Sequence, residues 1–154
     1  DSEEVTAEII ADGVHVHPSA LRLAVAQKGP EKICLITDSM KATGVGDGVY
    51  RWGEEEIEVL GKRATIRGSE ILAGSVLSLN AAVKNRIEWT GVSTNQAINM
   101  ASLNPANVLG LGDEIGSIQT GKLANLVVLD RDFNVVDTLL RGKSVLGKRN
   151  NDET

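Results

Sequence analysis

The stretch EIIADGVHVHPSALRLAVAQKGPEKICLITDS, residues 8–39, decides the fold class of this chain. It holds two short apolar runs without alternation, at residues 8–11 and 33–36, and each run ends in polar residues. Between them, Pro18 fits the first turn of a helix and Gly29 fits its end. Apolar strands joined by a helix indicate a parallel sheet that is buried on both faces. The sequence therefore predicts an α/β fold.

The rest of the chain changes character twice. Residues 49–67 are short, partly alternating segments separated by glycines, which predict a β-ribbon. Helical periodicity runs from Val76 to Gly91, and Ser93 with Gln96 forms a capping box for a further helix. Asn104 is the expected N-cap of a short helix that ends at Gly110. Strands are predicted again over residues 126–129 and 135–140.

These patterns divide the chain into three parts. Residues 1–115 are predicted to be barrel-type β/α units that include the ribbon, and residues 116–148 to be strands of a small second domain. Residues 149–154 form a polar tail. A complete eight-unit barrel needs about 250 residues, so we expect this chain to hold only the last third of one. The start at Asp1, without a methionine, agrees with that expectation.

Composition narrows the class of partner. The 154 residues include 16 basic and 21 acidic side chains, a formal charge of −5, which provides no field for nucleic acid or an anionic membrane. No apolar run approaches the roughly 20 residues that span a bilayer. The single cysteine, Cys34, excludes an internal disulfide and fits a reducing compartment. Composition therefore favours a protein of a reducing compartment that binds neither nucleic acid nor an anionic membrane.

The polar ends of the two apolar runs are the first candidate site. Consecutive parallel strands bring their carboxyl ends to one rim, so His15 or His17 is expected within reach of Asp38. A carboxylate and an imidazole there suit proton transfer and carbonyl polarisation. The alternative is that Asp38 caps a turn and the histidines lie in a solvated loop.

Two further motifs leave alternatives open. A metal site at His15 and His17 would need additional ligands, and only carboxylates could supply them, so a complete site is not expected here. Gly74, in the run LAGS, would let another group approach the backbone near a helix start that suits anions. The alternative is that Ser75 is simply the N-cap of that helix.

Five motifs, in chain order, resemble one family. ADGVHVHP, ITDSMKATGVGDGVY, ILAGSVLSLNAAVKN, MASLNPANVLGL and IGSIQTGKLANLVVLD are similar to the C-terminal part of the N-acetylglucosamine-6-phosphate deacetylases, of the amidohydrolase superfamily. The last motif is shared by many amidohydrolases, whereas the first three are more specific. The resemblance implies the C-terminal part of a (β/α)8 TIM-type barrel, plus C-terminal strands of a small β-sandwich domain.

The resemblance also implies site residues. Asp38 would be the general acid/base that takes a proton from an activated water and passes it to the departing amine. His15 would contact the substrate and polarise its acetyl carbonyl, whereas His17 is not a family metal ligand. The substrate-binding residues implied are Asp12, Gly13, Val14, His15, Leu72, Ala73 and Gly74.

The implied reaction converts N-acetyl-D-glucosamine 6-phosphate to glucosamine 6-phosphate and acetate in a cytoplasmic homodimer. A divalent metal, zinc or iron, would supply the nucleophile, but the family's metal ligands, a glutamate and two histidines, have no counterpart in this chain. The chain alone is therefore expected to be inactive and to bind zinc weakly. The alternatives are another amidohydrolase, of the dihydroorotase or deaminase type, or an inactive structural fragment.

Overall fold

The computed structural model describes residues 4–146 and confirms the predicted β-α-β unit. Strands β1 (Ala7–Ile10) and β2 (Ile33–Ile36) pair in parallel, with Ala7 opposite Ile33 and Ile10 opposite Ile36. Helix α1 (Pro18–Lys28) joins them, with Pro18 in its first turn and Gly29 at its C-cap. Asp12 and Asp38 consequently follow the carboxyl ends of two neighbouring strands.

A third segment continues this sheet. Ser39 and Ser75 form an isolated parallel bridge, so the LAGS run lies beside the chain that leaves β2. Helix α2 (Leu79–Thr90) follows and packs against α1 and β2. The main core lies between this sheet and the helices; its buried members include Ile9, Leu21, Leu35, Val83 and Met100.

Cys34, in β2, is buried and 2% exposed. Burial raises the pKa of its thiol, and the nearby charge of Glu8 adds to that shift. The thiol therefore stays protonated at neutral pH, and a thiol without thiolate character is a poor nucleophile. Cys34 is a core residue.

The predicted ribbon is confirmed as a three-stranded antiparallel sheet. Its strands are β3 (Gly48–Trp52), β4 (Glu55–Leu60) and β5 (Arg63–Ile66). In β4 the side chains of Ile57 and Val59 are buried and alternate with exposed neighbours, as a half-buried strand requires. The buried face packs on Met40 and Ala42, just after Asp38. The ribbon is thereby held over the end of β2.

Of the N-caps predicted for the next two helices, one is confirmed and one is wrong. Helix α3 (Thr94–Ala101) begins at the predicted capping box, in which the Ser93 and Gln96 side chains bond each other's backbone N–H. Helix α4 (Leu103–Val108) has Ser102 at its N-cap, so the expected Asn104 cap is wrong. The buried Asn104 amide donates instead to the carbonyls of Pro30 at 2.8 Å and Ile33 at 2.7 Å.

The strands predicted in the C-terminal part are confirmed, and they pair in a second antiparallel sheet. It contains β6 (Leu126–Leu129), β7 (Val135–Leu140) and β8 (Lys143–Ser144). An apolar cleft of about 510 Å³ separates it from α2 and α3. Residues 147–148 of the predicted second domain, and the predicted tail at 149–154, lie outside the described residues. Within residues 4–146, every helix is too short or too polar to cross a membrane.

Candidate active site

Asp12 organises the turn that follows β1. Its side chain is nearly buried, and its Oδ1 accepts hydrogen bonds from the backbone N–H groups of Val14 at 2.8 Å and His15 at 2.9 Å. Gly13 has φ +78°, and a Cβ atom there would stand 3.2 Å from the Trp89 ring. Glycine therefore meets both a backbone and a packing requirement in this turn.

The same carboxylate orients His15. Oδ2 of Asp12 lies 2.7 Å from Nδ1 of His15. A carboxylate only accepts hydrogen bonds, so Nδ1 carries a proton, and Nε2 donates only when the ring is doubly protonated. Among the described residues, Nε2 has no protein hydrogen-bond partner, and the His15 side chain is 18% exposed. Nε2 is thus available to a ligand.

His17 has a structural role. It is the N-cap of α1, and its Nδ1 accepts a hydrogen bond from the backbone N–H of Ser19 at 3.2 Å. The hydrogen bond satisfies one of the free N–H groups at the helix start. The two histidines therefore have different local roles: His15 is bonded to Asp12, and His17 caps α1.

Asp38 adopts an unusual backbone conformation at the carboxyl end of β2. Its φ is +49°, in the left-handed region that aspartate enters more readily than most residues. Such a conformation costs roughly 1–3 kcal/mol and persists only where the surroundings impose it. The side chain is exposed, and none of the side-chain hydrogen bonds within residues 4–146 involves its carboxylate. A strained main chain thus presents an unpaired carboxylate.

The Asp38 carboxylate lines a cleft of about 250 Å³. Ala73 and Gly74 also line this cleft, and the ribbon contributes Trp52 and Glu55. Leu72 is bridged to Thr65 of β5 and does not line this cleft. The structure brings Asp38 together with two of the three predicted LAGS residues.

The Asp12 turn stands apart from this cleft. Asp12, Gly13, Val14 and His15 share one turn, and no hydrogen bond in the described part of the chain joins His15 to Asp38. Both groups follow neighbouring parallel strands, which places them at one edge of the sheet. They form two parts of one rim.

Sequence reasoning missed several contributors. The sequence pattern assigns Trp52 and Glu55 only to a ribbon, and the Lys41 ammonium lies 5.9 Å from the centre of the Trp52 ring. Ser75 is not the N-cap of α2, because the helix begins at Leu79 and its N-cap is Ser78. The Ser75 hydroxyl instead donates to the carbonyl of Thr37. No local pattern signals that a ribbon folds back on Asp38.

The described residues do not bring together enough ligands for a metal centre. Between residues 4 and 146, no group of three or more His, Cys, Asp or Glu side chains is placed to hold a metal ion. This part of the chain therefore does not make up a metal centre by itself.

A comparison with protein-family models identifies the relationship. Residues 2–145 match the model described as the amidohydrolase family. The chain belongs to the amidohydrolase family. Members of this superfamily are generally metal-dependent.

Two individual relatives show which amidohydrolases this chain is similar to. Over 88% of its length, the chain is 43% identical to the N-acetylglucosamine-6-phosphate deacetylase of Bacillus subtilis, of which it covers 34%. It is 45% identical, also over 88% of its length, to a putative N-acetylgalactosamine-6-phosphate deacetylase of Escherichia coli K12, of which it covers 80%.

A solved structure shows the same fold. An N-acetyl-D-glucosamine-6-phosphate deacetylase variant from Mycobacterium smegmatis, in complex with N-acetyl-D-glucosamine-6-phosphate, superposes with a TM-score of 0.85 at 37% identity. The match covers 93% of this chain and 38% of that one. This amidohydrolase chain thus spans about a third of the Bacillus and Mycobacterium proteins.

Proposed function

We propose that this chain carries the proton-transfer part of a deacetylase that converts N-acetyl-D-glucosamine 6-phosphate and water to glucosamine 6-phosphate and acetate. The observation that carries the proposal is the unpaired Asp38 carboxylate, held in a strained conformation at the carboxyl end of a parallel strand and facing a cleft. The names of similar relatives supply the substrate class.

Asp38 is the proposed general acid/base. Its carboxylate takes a proton from the attacking water as the C–O bond forms on the acetyl carbon. The same proton then passes to the amide nitrogen as the carbonyl re-forms and the C–N bond breaks; the amine leaves with acetic acid, which gives up its remaining proton to become acetate. One carboxylate can serve both steps because it is regenerated at the end.

His15 is the proposed partner of the acetyl oxygen. Negative charge develops on that oxygen when water adds, and a donor aimed at it stabilises the transition state. With Nδ1 held by Asp12, only the doubly protonated ring offers an Nε2–H for this purpose. The Asp12 carboxylate supplies the counter-charge for that form.

The amidohydrolase relationship also implies a divalent metal, which we propose to be zinc or iron. When bound, it would supply water activation. The described residues do not fit a complete centre, so we place its ligands outside them.

The similarity to the deacetylases also suggests an architecture, a set of sugar contacts and an assembly. We propose that the β1-α1-β2 unit and the LAGS segment belong to a (β/α)8 barrel, and that β6, β7 and β8 belong to a small β-sandwich. Leu72, Ala73 and Gly74, with Asp12, Gly13 and Val14, would contact the sugar phosphate. A cytoplasmic homodimer that binds neither nucleic acid nor membrane completes the proposal.

The test is acetate release by the metal-loaded protein that contains this sequence, assayed with the 6-phosphates of N-acetylglucosamine and N-acetylgalactosamine. The second sugar is included because the Escherichia coli relative is named for it. We expect turnover with the glucosamine compound to exceed turnover with its epimer. Activity only on the epimer would make N-acetylgalactosamine 6-phosphate the substrate in place of the glucosamine compound. Activity on neither sugar phosphate would refute the deacetylase assignment.

A further inference from the structure

Ser75 bonds the turn that carries Asp38 through its backbone N–H, its carbonyl and its hydroxyl. Its backbone N–H donates to the Asp38 carbonyl at 2.8 Å, and its carbonyl accepts from Met40 N–H at 2.9 Å and from the Thr43 hydroxyl at 3.2 Å. Its hydroxyl donates to the Thr37 carbonyl. Ser75 is 1% exposed, so these bonds are shielded from water.

We infer that Ser75 is the positioning residue of Asp38 and holds it in the left-handed conformation; this inference rests on the proposed function. The φ and ψ angles of Asp38 set the relative orientation of the peptide planes before and after it. The Thr37 carbonyl belongs to the first plane and the Asp38 carbonyl to the second. Because both bond the same buried residue, Ser75 fixes both angles together.

The Ser75 hydroxyl also accepts from the backbone N–H of Leu77 at 3.1 Å. It therefore ties the Asp38 turn to the segment that leads into α2. Ser39 adds a reciprocal bond, because its hydroxyl donates to the Leu77 carbonyl at 2.5 Å. Side-chain hydrogen bonds thus join the segment 37–39 to the segment 75–77 on either side of Asp38, where no continuous β-pairing holds them together.

Replacement of Ser75 by alanine tests the contribution of its hydroxyl alone. Ser75→Ala keeps the backbone bonds to Asp38 and Met40 but releases the Thr37 carbonyl, so the first peptide plane is free to rotate and Asp38 can leave the strained conformation. Because small displacements of a reacting group can cost up to about 100-fold, we expect kcat to fall roughly 10- to 100-fold. We expect KM to change less than about twofold, since the residues proposed to bind the sugar are untouched.

Two companion variants separate positioning from stability. Ser102→Ala removes a bond of the same kind, from a serine hydroxyl to the carbonyl of Gly116 at 3.1 Å, away from the Asp38 cleft. It should lower the melting temperature and leave kcat at the wild-type value. Ser75→Cys keeps a weak donor of similar size and should give an intermediate kcat.

Acetate release by the full metal-loaded protein, corrected for folded fraction by circular dichroism, is measured alongside amide hydrogen exchange over residues 37–43. Support requires that Ser75→Ala lower kcat at nearly constant KM and speed exchange in this segment, with neither effect in Ser102→Ala. A Ser75→Ala variant with kcat within twofold of wild type, or with unchanged exchange, overturns the inference. If wild type releases no acetate from either sugar phosphate, the proposed function fails, and the exchange comparison alone decides whether Ser75 holds the Asp38 turn.

Discussion

Gly74 lies against the main chain of Asp38, so closely that a Cβ atom on Gly74 would stand 3.0 Å from the Asp38 carbonyl oxygen. The neighbour is backbone, which cannot move aside as a flexible side chain can. Gly74 also has φ +73°. The conformation of Asp38 thus depends on the absence of a side chain at a position far along the chain.

Gly74→Ala is expected to lower both stability and turnover. The positive φ costs about 1 kcal/mol or more for alanine, and the added methyl group would displace the Asp38 carbonyl. We expect kcat to fall at least tenfold. Gly68→Ala is the matched control, because Gly68 has φ +77° and a Cβ atom added to it would meet nothing within 4 Å. A similar loss of kcat in both variants would contradict this role of the Gly74 contact.

Asp38→Asn removes the proposed proton carrier while conserving size. Because general acid/base groups contribute about 10²–10⁴-fold, we expect turnover to fall by that factor or more, with the circular dichroism spectrum unchanged. Asp113→Asn, at an exposed position between α4 and β6, serves as the control and should keep full activity. Near-normal turnover of Asp38→Asn would disprove the assignment.

Asp12→Asn tests the pairing with His15. An asparagine oxygen can still accept the backbone N–H groups of the turn, but its NH₂ group cannot accept from Nδ1. Because a charged hydrogen bond contributes about 1.5–3 kcal/mol, kcat/KM should fall roughly 10- to 100-fold. Asp130→Asn provides the comparison, since Asp130 also accepts two backbone N–H groups in an exposed turn. Equal effects of the two substitutions would rule out a specific role for Asp12.

The two histidines should respond differently to asparagine. His15→Asn removes the donor proposed for the acetyl oxygen, which is worth on the order of 3 kcal/mol, or about 100-fold in kcat. His17→Asn places a preferred N-cap residue at the start of α1, so folding and activity should be retained. Steady-state kinetics and melting temperatures check both variants. Loss of activity in the His17 variant alone would reverse the assignment.

The buried charge of Arg86 leads us to expect that an apolar replacement stabilises the fold. Its side chain is fully buried in α2, Nε lies 3.3 Å from Met100 Sδ, and within residues 4–146 neither terminal nitrogen has a hydrogen-bond partner. Burial lowers its pKa to about 10. The penalty of holding the charge is therefore present at neutral pH, and it is relieved only as pH rises through about 10.

Arg86→Met should raise the melting temperature at pH 7 in calorimetry, since replacing poorly compensated buried charges by apolar groups is often stabilising by about 1–4 kcal/mol. Arg63→Met, which breaks an exposed pair with Glu70, should change it little. A lower melting temperature for Arg86→Met would contradict the predicted stabilisation.

Local signals account for what could be predicted. The apolar runs, Pro18 and Gly29 define the β-α-β unit, and the Ser93–Gln96 capping box lies within four consecutive residues. The errors involve distant partners. Asn104 bonds the carbonyl of Pro30, and Ser75 bonds that of Thr37, 38 residues away. A cap and a tertiary hydrogen bond use the same residue types, so the sequence pattern alone cannot separate them.

The ribbon is inserted between the strand end that carries Asp38 and the segment that carries Gly74; its strand ladders lie within residues 48–66, and β5 makes further backbone bonds to residues 71–73. Trp52 and Glu55 lie at the tip of its first hairpin, and their side chains are exposed. Substitutions there can reshape one wall of the cleft while Ser75 and Gly74 keep the Asp38 main chain in place. The tip of the ribbon and the main chain that carries Asp38 can therefore be changed by separate substitutions.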